Sequence, residues 1–169
     1  MHIRYHVASF VVALTLAVAV PAQAQNKPLT GGDNSTMLFS AGLTFMDFGT
    51  TGVGAAANVL FNTLQKTGNG RIGVVGDFGL NHFDNATVVT IGGGGRYTFA
   101  TSGKIAPYGQ FLIVALHCCG NTNIDPSIGF GVDIGWKPNM NFRGAVDFIL
   151  DDTTATRWFF GVSMPIKKK

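Results

Sequence analysis

Residues 127–136 read Ser-Ile-Gly-Phe-Gly-Val-Asp-Ile-Gly-Trp and alternate strictly between two kinds of side chain. The positions between the apolar ones hold Ser127, Asp133 and three glycines. A period of two predicts a β-strand, because successive side chains of a strand point to opposite faces. One face of this strand therefore favours hydrocarbon, and the other favours small or polar neighbours. The large apolar positions are Ile128, Phe130, Val132, Ile134 and Trp136.

Other parts of the chain repeat this division into two faces. Arg71 and Asp77 lie opposite Ile72 and Phe78 in one segment, and Arg157 lies opposite large aromatic residues near the end of the chain. Helical periodicity is hard to find after residue 25, whereas clusters of Gly, Asn, Asp, Lys and Thr separate the alternating segments. We predict eight strands, at residues 36–48, 55–66, 71–83, 87–100, 104–117, 127–137, 142–151 and 155–166.

The start of the chain has the three parts of a secretory signal peptide. Residues 1–6 include Arg4, residues 7–20 form an apolar run, and small residues precede a cleavage site after Ala24. The apolar run is shorter than the roughly 20 residues of a spanning helix, which argues against an N-terminal membrane anchor. We therefore predict a signal peptide over residues 1–24 and a single barrel domain over residues 25–169.

The composition indicates that lipid, and not water, lies outside the sheet. Of the 169 residues, 46% are hydrophobic and only 12% are charged, and the formal net charge of +3 leaves no footprint for nucleic-acid binding. A soluble sandwich or a lipocalin-like barrel points its apolar face inward and covers its exterior with Lys and Glu. Here the polar faces are too small and too rich in glycine for that. We predict an all-β, eight-stranded antiparallel up-and-down transmembrane β-barrel, with apolar residues toward lipid and polar residues toward the lumen.

Six charged side chains of balanced sign are predicted to share the lumen of this barrel. Isolated ions in a narrow interior are costly, so Arg and carboxylate groups are expected to pair there. An eight-stranded barrel is about filled by its own side chains, and the network should therefore plug the lumen. The alternative is a path for ions or small solutes, as in a porin-like pore. The six residues are Arg71, Asp77, Arg96, Asp133, Arg143 and Asp147.

Charges and tryptophans give the predicted orientation. Trp136 and Trp158 lie near strand ends, where membrane interfaces favour aromatic residues, and we expect them to act as interface anchors. Acidic residues fall near the predicted outer loops, and basic residues fall near the predicted periplasmic turns. The longest outer loop is expected over residues 118–126. The acidic set is Asp47, Asp84, Asp125, Asp151 and Asp152, and the basic set is Lys66, Lys104, Lys137, Lys167, Lys168 and Lys169.

The residues that could bind a metal or act in catalysis do not form a convincing site. Cys118 and Cys119 are adjacent, and His117 is the only other soft ligand next to them, whereas metal sites need three or four convergent ligands. The sequence is compatible with a disulfide between these two cysteines and with two loosely packed thiols. His82 and His117 lie near the predicted outer side, where a hydrolase would need such a histidine aimed at a serine or a water, and histidines at a water interface are the simpler interpretation. We expect no metal, no cofactor and no catalysis.

After residue 24 the chain resembles the eight-stranded outer-membrane β-barrels of Gram-negative bacteria, the group that includes the outer-membrane protein A barrel and outer-membrane protein X. The resemblance implies export through the periplasm, insertion by the β-barrel assembly machinery, and contact with outer-membrane lipid and lipopolysaccharide. It does not fix an activity, because this fold hosts structural proteins, adhesins and lipid-modifying enzymes. The segments that carry it are GVVGDF (73–78), GGRYTF (94–99), PYGQ (107–110), GFGVD (129–133), FRGAVDF (142–148) and RWFFGV (157–162).

Together these features predict a monomeric outer-membrane barrel with a structural or envelope-interacting role and no enzymatic activity. A pore for small solutes or ions is the first alternative. Modification of lipid A by an outer-membrane enzyme is the second.

Overall fold

The computed structural model describes residues 37–67, 70–99, 104–137, 139–150 and 154–166, without the side chains of residues 62–67. The predicted signal peptide, the cleavage site after Ala24 and the terminal lysines at 167–169 lie outside the described residues. Within these ranges there is no helix with the length and hydropathy needed to span a membrane.

Antiparallel strands form one closed barrel in the order of the sequence. Each strand pairs with the next, and β8 pairs with β1 to close the ring. The closed eight-stranded antiparallel barrel predicted from the alternating pattern is therefore confirmed. The strands are β1 (Met37–Asp47), β2 (Thr51–Thr67), β3 (Gly70–Phe83), β4 (Ala86–Phe99), β5 (Ile105–Cys118), β6 (Asn121–Lys137), β7 (Met140–Ile149) and β8 (Ala155–Ile166).

The predicted outer loop at residues 118–126 is wrong. Cys118 pairs with Asn121, so that only Cys119 and Gly120 form the turn and the next residues continue β6. Both turn residues have positive φ angles, 55° and 83°, as a two-residue turn of type I′ requires. Asn, Asp and Pro are weak strand formers, and pairing with β5 overrides that preference. For the same reason β2 begins at Thr51, inside the predicted loop at residues 49–54.

The barrel has two distinct ends. The hairpin end carries the β1–β2, β3–β4, β5–β6 and β7–β8 connections, and the terminal end carries the remaining connections together with both ends of the described chain. The described charges segregate between these ends as predicted. Asp47, Asp84 and Asp125 lie toward the hairpin end, and Lys104 and Lys137 lie at the terminal end. Residues 151–153, with the other two predicted acidic positions, lie outside the described part.

Large apolar side chains cover the outside of the barrel. Ile91 is 59% exposed, Phe111 is 51% exposed and Phe160 is 54% exposed, and the same outward face of other strands carries many similar residues. Monomeric soluble proteins rarely expose contiguous apolar surface on this scale. The inward face of the sheet is correspondingly closed to solvent, and it holds the buried polar and charged side chains.

Candidate functional site

The inward-facing charges form the most distinctive polar cluster of the described residues. Three arginines and three aspartates are buried there. Five of the six residues predicted to share the lumen are among them. The sixth, Arg71, also lies on the inward face of β3, but it is only half-buried near the terminal end, and Arg157 of β8 completes the balanced set. The buried charges are Asp77, Arg96, Asp133, Arg143, Asp147 and Arg157.

Arg157 joins three strands through its guanidinium group. Its Nη1 donates to Asp77 Oδ2 at 2.7 Å, and its Nη2 donates to Asp147 Oδ2 at 2.9 Å. Asp147 faces Arg157 directly across the β7–β8 ladder, whereas Asp77 comes from β3. A third contact goes to the hydroxyl of Thr90 at 3.3 Å. One arginine thus neutralises two buried carboxylates that belong to separate strands.

Gln110 links this group to Arg96. The Nη2 of Arg96 donates to Gln110 Oε1 at 2.7 Å, and the amide nitrogen of Gln110 donates to Asp147 Oδ1 at 2.7 Å. Asp147 therefore accepts from Gln110 on one oxygen and from Arg157 on the other. An amide can connect the two because it is both a donor and an acceptor. Gln110 thus connects Arg96 to the carboxylate of Asp147.

Arg143 and Asp133 make the second ion pair. They face each other in the β6–β7 ladder and form two parallel hydrogen bonds, from Nε and Nη2, each of 2.7 Å. The remaining guanidinium nitrogen of Arg143 donates to Asn58 Oδ1 at 2.6 Å, which ties in β2. The hydroxyl of Ser163 donates to Asp133 at 3.2 Å. This fork geometry is the strong form of an arginine–carboxylate interaction.

Tyr108 connects the two groups. Its ring centroid lies 4.0 Å from the Cζ atom of Arg96 and 5.2 Å from the Cζ atom of Arg143. Guanidinium groups at such distances are attracted to the face of an aromatic ring. The ring also packs over Gly131, its partner in the β5–β6 register, where a Cβ atom would collide with it. We call these connected side chains the charge network, with the members Asn58, Asp77, Thr90, Arg96, Tyr108, Gln110, Asp133, Arg143, Asp147, Arg157 and Ser163.

Toward the hairpin end the interior becomes apolar. On β5, Tyr108 and Gln110 belong to the charge network, whereas the inward residues that follow are aliphatic. Polar residues therefore do not line the whole lumen, in contrast to the prediction, because hydrocarbon side chains make up much of this part of the interior, beside the buried hydrogen-bonded pair of Thr44 and Asn81. We call the buried set the apolar layer, and it consists of Met46, Val88, Leu112, Val114, Leu116, Ile149 and Ala155.

The histidines and cysteines lie at the hairpin end. His82 pairs with the hydroxyl of Thr87 at 3.0 Å, and His117 pairs with the hydroxyl of Thr122 at 2.8 Å, each across its own hairpin. Cys118 and Cys119 are free thiols with their Sγ atoms 2.7 Å apart. In the described part of the chain, no three His, Cys, Asp or Glu side chains are grouped so that they could hold a metal ion.

The two tryptophans lie at opposite ends of the outer surface. Trp136 is near the terminal end of β6, where it stacks on Phe142 with ring centroids 4.8 Å apart. The Nζ atom of Lys137 lies 4.7 Å from its ring centroid. Trp158 is near the hairpin end of β8 and is also exposed. Their role as interface anchors stays a prediction. A tryptophan near each end of the barrel is compatible with it.

Sequence reasoning did not include Arg157 or any uncharged member of the charge network. The alternation along β8 already placed Arg157 on the polar face. Counting every charged residue on the polar faces would therefore have included Arg157 in the predicted set. Asn58, Gln110 and Tyr108 had no such signal, because amides and tyrosine occur on either face of a strand. Each of them also has a partner on a non-adjacent strand, and only the closed ring brings these together.

A glycine next to the charge network offers a direct test of its packing. A Cβ atom at Gly129 would collide with the Asp147 carboxylate and approach Gln110 at 2.9 Å, whereas one at Gly144 would meet none of the described atoms within 4 Å. We expect Gly129→Ala to lower the free energy of unfolding by about 1–3 kcal/mol through overpacking. Gly144→Ala should change it by less than about 0.5 kcal/mol.

Urea titration of the folded protein in detergent micelles, followed by gel mobility without heating, measures both values. Equal losses for the two variants would contradict the tight packing around Asp147.

Comparison with known proteins shows similarity only at the level of structure. No protein-family model and no curated protein matches the chain. Among solved structures, 17 chains match.

Three of these structures illustrate the similarity. Neisserial surface protein A is 14% identical with a TM-score of 0.57, and the match covers 77% of this chain and 96% of that one. The N-terminal barrel of OprF from Pseudomonas aeruginosa is 11% identical with a TM-score of 0.58, covering 79% and 100%. The attachment invasion locus protein Ail of Yersinia pestis is 13% identical with a TM-score of 0.53, covering 77% and 97%. The chain therefore has the fold of the eight-stranded outer-membrane β-barrels.

Proposed function

We propose that this protein is a non-conducting β-barrel of a Gram-negative outer membrane with a structural or envelope-interacting role, its lumen plugged by the charge network. The observation that carries the proposal is the buried Arg157, paired with Asp77 and Asp147 from two other strands. An interior of this size is about filled by side chains. On the side of the apolar layer toward the terminal end, five of the six buried charges are paired with one another, and the sixth, Arg96, is hydrogen-bonded to Gln110.

The outward face supports the membrane location. Exposed Ile, Phe and Trp side chains cover it on strands all around the ring. Outer-membrane lipid would cover this surface, and lipopolysaccharide would lie against the acidic hairpin end. The β-barrel assembly machinery would insert the chain after its export through the periplasm, and a monomer suffices because the closed ring has no free sheet edge along its paired strands.

Short hairpins support a structural role over specific adhesion or catalysis. Two residues form the β3–β4 turn, between Phe83 and Ala86, and two form the β5–β6 turn. Turns of this length offer little surface to a protein ligand. Each exposed histidine contacts a threonine hydroxyl, but among the described contacts no carboxylate orients either imidazole as a catalytic triad would require, and the proposal therefore includes no enzymatic activity.

Conductance in planar lipid bilayers tests the closed lumen. Protein extracted from urea-washed outer membranes, with the heat-dependent gel mobility of a folded barrel, is expected to give a flat current trace in 1 M KCl. A known porin added afterwards to the same bilayer verifies that steps can be recorded.

Two neutralising variants identify the source of any current. Asp77→Asn alters the charge network, and Asp84→Asn makes the same change at the exposed β3–β4 turn. Discrete steps whose size or ion selectivity changes with Asp77→Asn but not with Asp84→Asn would establish a pore and overturn the proposal. Recovery of the protein from the soluble periplasm would overturn its membrane location.

A further inference from the structure

A cavity of about 250 Å³ opens at the hairpin end of the barrel, on the side of the apolar layer away from the charge network. Phe48, Val88 and Leu116 provide its apolar walls. Cys118, Asn121 and Asn123 complete the lining at the rim, where β5 and β6 project beyond the end of β7. The apolar layer thus separates the cavity from the charge network.

The lining determines which chemical class the cavity favours. Its walls contain no charged side chain among the described residues, and an unpaired ion in such surroundings would be costly. Hydrocarbon in the cavity would gain the dispersion contacts that the apolar walls otherwise lack. The amides of Asn121 and Asn123 can both donate and accept hydrogen bonds, so they suit one neutral polar group at the opening.

The volume limits the size of the ligand. A cavity of about 150 Å³ accommodates benzene, so one of about 250 Å³ has space for a molecule with about ten non-hydrogen atoms. A complete lipid is far too large. A medium-chain alcohol or a comparable small amphiphile has the appropriate size.

We propose that the hairpin-end cavity binds a small uncharged amphiphile, whose hydrocarbon part lies among Phe48, Val88 and Leu116 and whose polar group meets Asn121 and Asn123. The apolar layer forms the floor of this site. The ligand therefore binds and leaves through the hairpin end and does not cross the barrel. This binding does not depend on the proposed structural role, since it uses none of the buried charges.

The adjacent cysteines provide a matched pair of reporters for the test. Cys118 lines the cavity, whereas Cys119 is exposed on the turn. In the full-length protein in liposomes, Cys119→Ser leaves only the cavity thiol and Cys118→Ser leaves only the exposed one. The rate of modification by N-ethylmaleimide is measured for each variant with and without 1-octanol, after gel mobility has verified folding.

Octanol at about nine times its dissociation constant is expected to slow modification of Cys118 about tenfold and to leave the rate at Cys119 unchanged within about twofold. Octanesulfonate, with the same chain and a negative charge, should protect neither thiol. Equal slowing of both thiols by octanol, or slowing of neither, would overturn the proposal. Protection by octanesulfonate equal to that by octanol would overturn the preference for an uncharged ligand.

A cavity-filling variant gives an independent result. Val88→Phe in the Cys119→Ser background is expected to abolish the protection of Cys118 by octanol. Protection that persists in this variant, with folding intact, would place octanol elsewhere and overturn the site. If Val88→Phe does not fold, the comparison of the two cysteines decides the question alone.

Discussion

Replacing Arg157 with methionine is expected to lower the free energy of unfolding by about 3–5 kcal/mol, the usual cost of removing one partner from a buried ion pair. The guanidinium group of Arg157 is the only one within hydrogen-bonding distance of Asp77 in the described residues, and it shares Asp147 with Gln110. Methionine fills much of the same volume without the charge. Both carboxylates would then stay buried without their cation, and the measurement is the urea midpoint in liposomes.

Arg71→Met is the control, because it makes the same chemical change on the inward face of β3 at a half-buried position. Its expected cost is about 1 kcal/mol or less, in the range of partly exposed ion pairs. Adding Asp77→Asn to Arg157→Met should restore part of the lost stability, since it removes one of the two uncompensated charges. If Arg71→Met and Arg157→Met lowered the free energy of unfolding equally, the buried ion pairs of Arg157 would have no special contribution to stability.

A lysine in place of Ile91 is expected to destabilise the inserted barrel by about 2–4 kcal/mol. Ile91 lies near the middle of β4 and points outward with 59% of its surface exposed. A charged group at the same depth in hydrocarbon loses its hydration, and the loss is largest near the centre of the bilayer. Unfolding by urea in liposomes of defined thickness measures the difference from the unmodified protein.

Thr87→Lys is the matched control on the same strand and the same face, nearer the hairpin end. Its expected cost is about 0–1 kcal/mol, because a lysine near the interface keeps its contact with water. If Ile91→Lys were neutral or stabilising, the outer surface would contact water. The membrane location of the barrel would then be wrong.

The architecture was predictable because most strands have one face of large apolar residues and one of small or charged residues. Residues 127–136 and the Arg157-to-Ile166 part of β8 show this alternation clearly, and both lie in strands at the predicted positions. The buried Asp and Arg residues were predictable from the same parity. Closure into a ring followed from the need to pair every backbone group where no water is available.

Other features depend on contacts that a strand-by-strand pattern does not contain. Residues 111–116 of β5 are apolar on both faces, so alternation could not reveal that the interior changes from charged to aliphatic along this strand. The start of β6 was missed because its polar residues resemble a loop until they are paired with β5. Gln110 and Asn58 joined the charge network through partners on distant strands, which depend on the stagger of the closed sheet.

The ion pair between Arg157 and Asp77 joins the last strand to the third, and their separation of 80 residues means that neither finds the other early in synthesis. Until β8 docks on β1, the inward carboxylate of Asp77 lacks this arginine and must be stabilised by solvent. Closing the ring and forming the ion pair between Arg157 and Asp77 are therefore a single late event. During unfolding, separation of β8 from β1 must pull apart a buried ion pair before water can reach it. We therefore expect slow opening of the ring to protect the folded barrel in addition to its equilibrium stability.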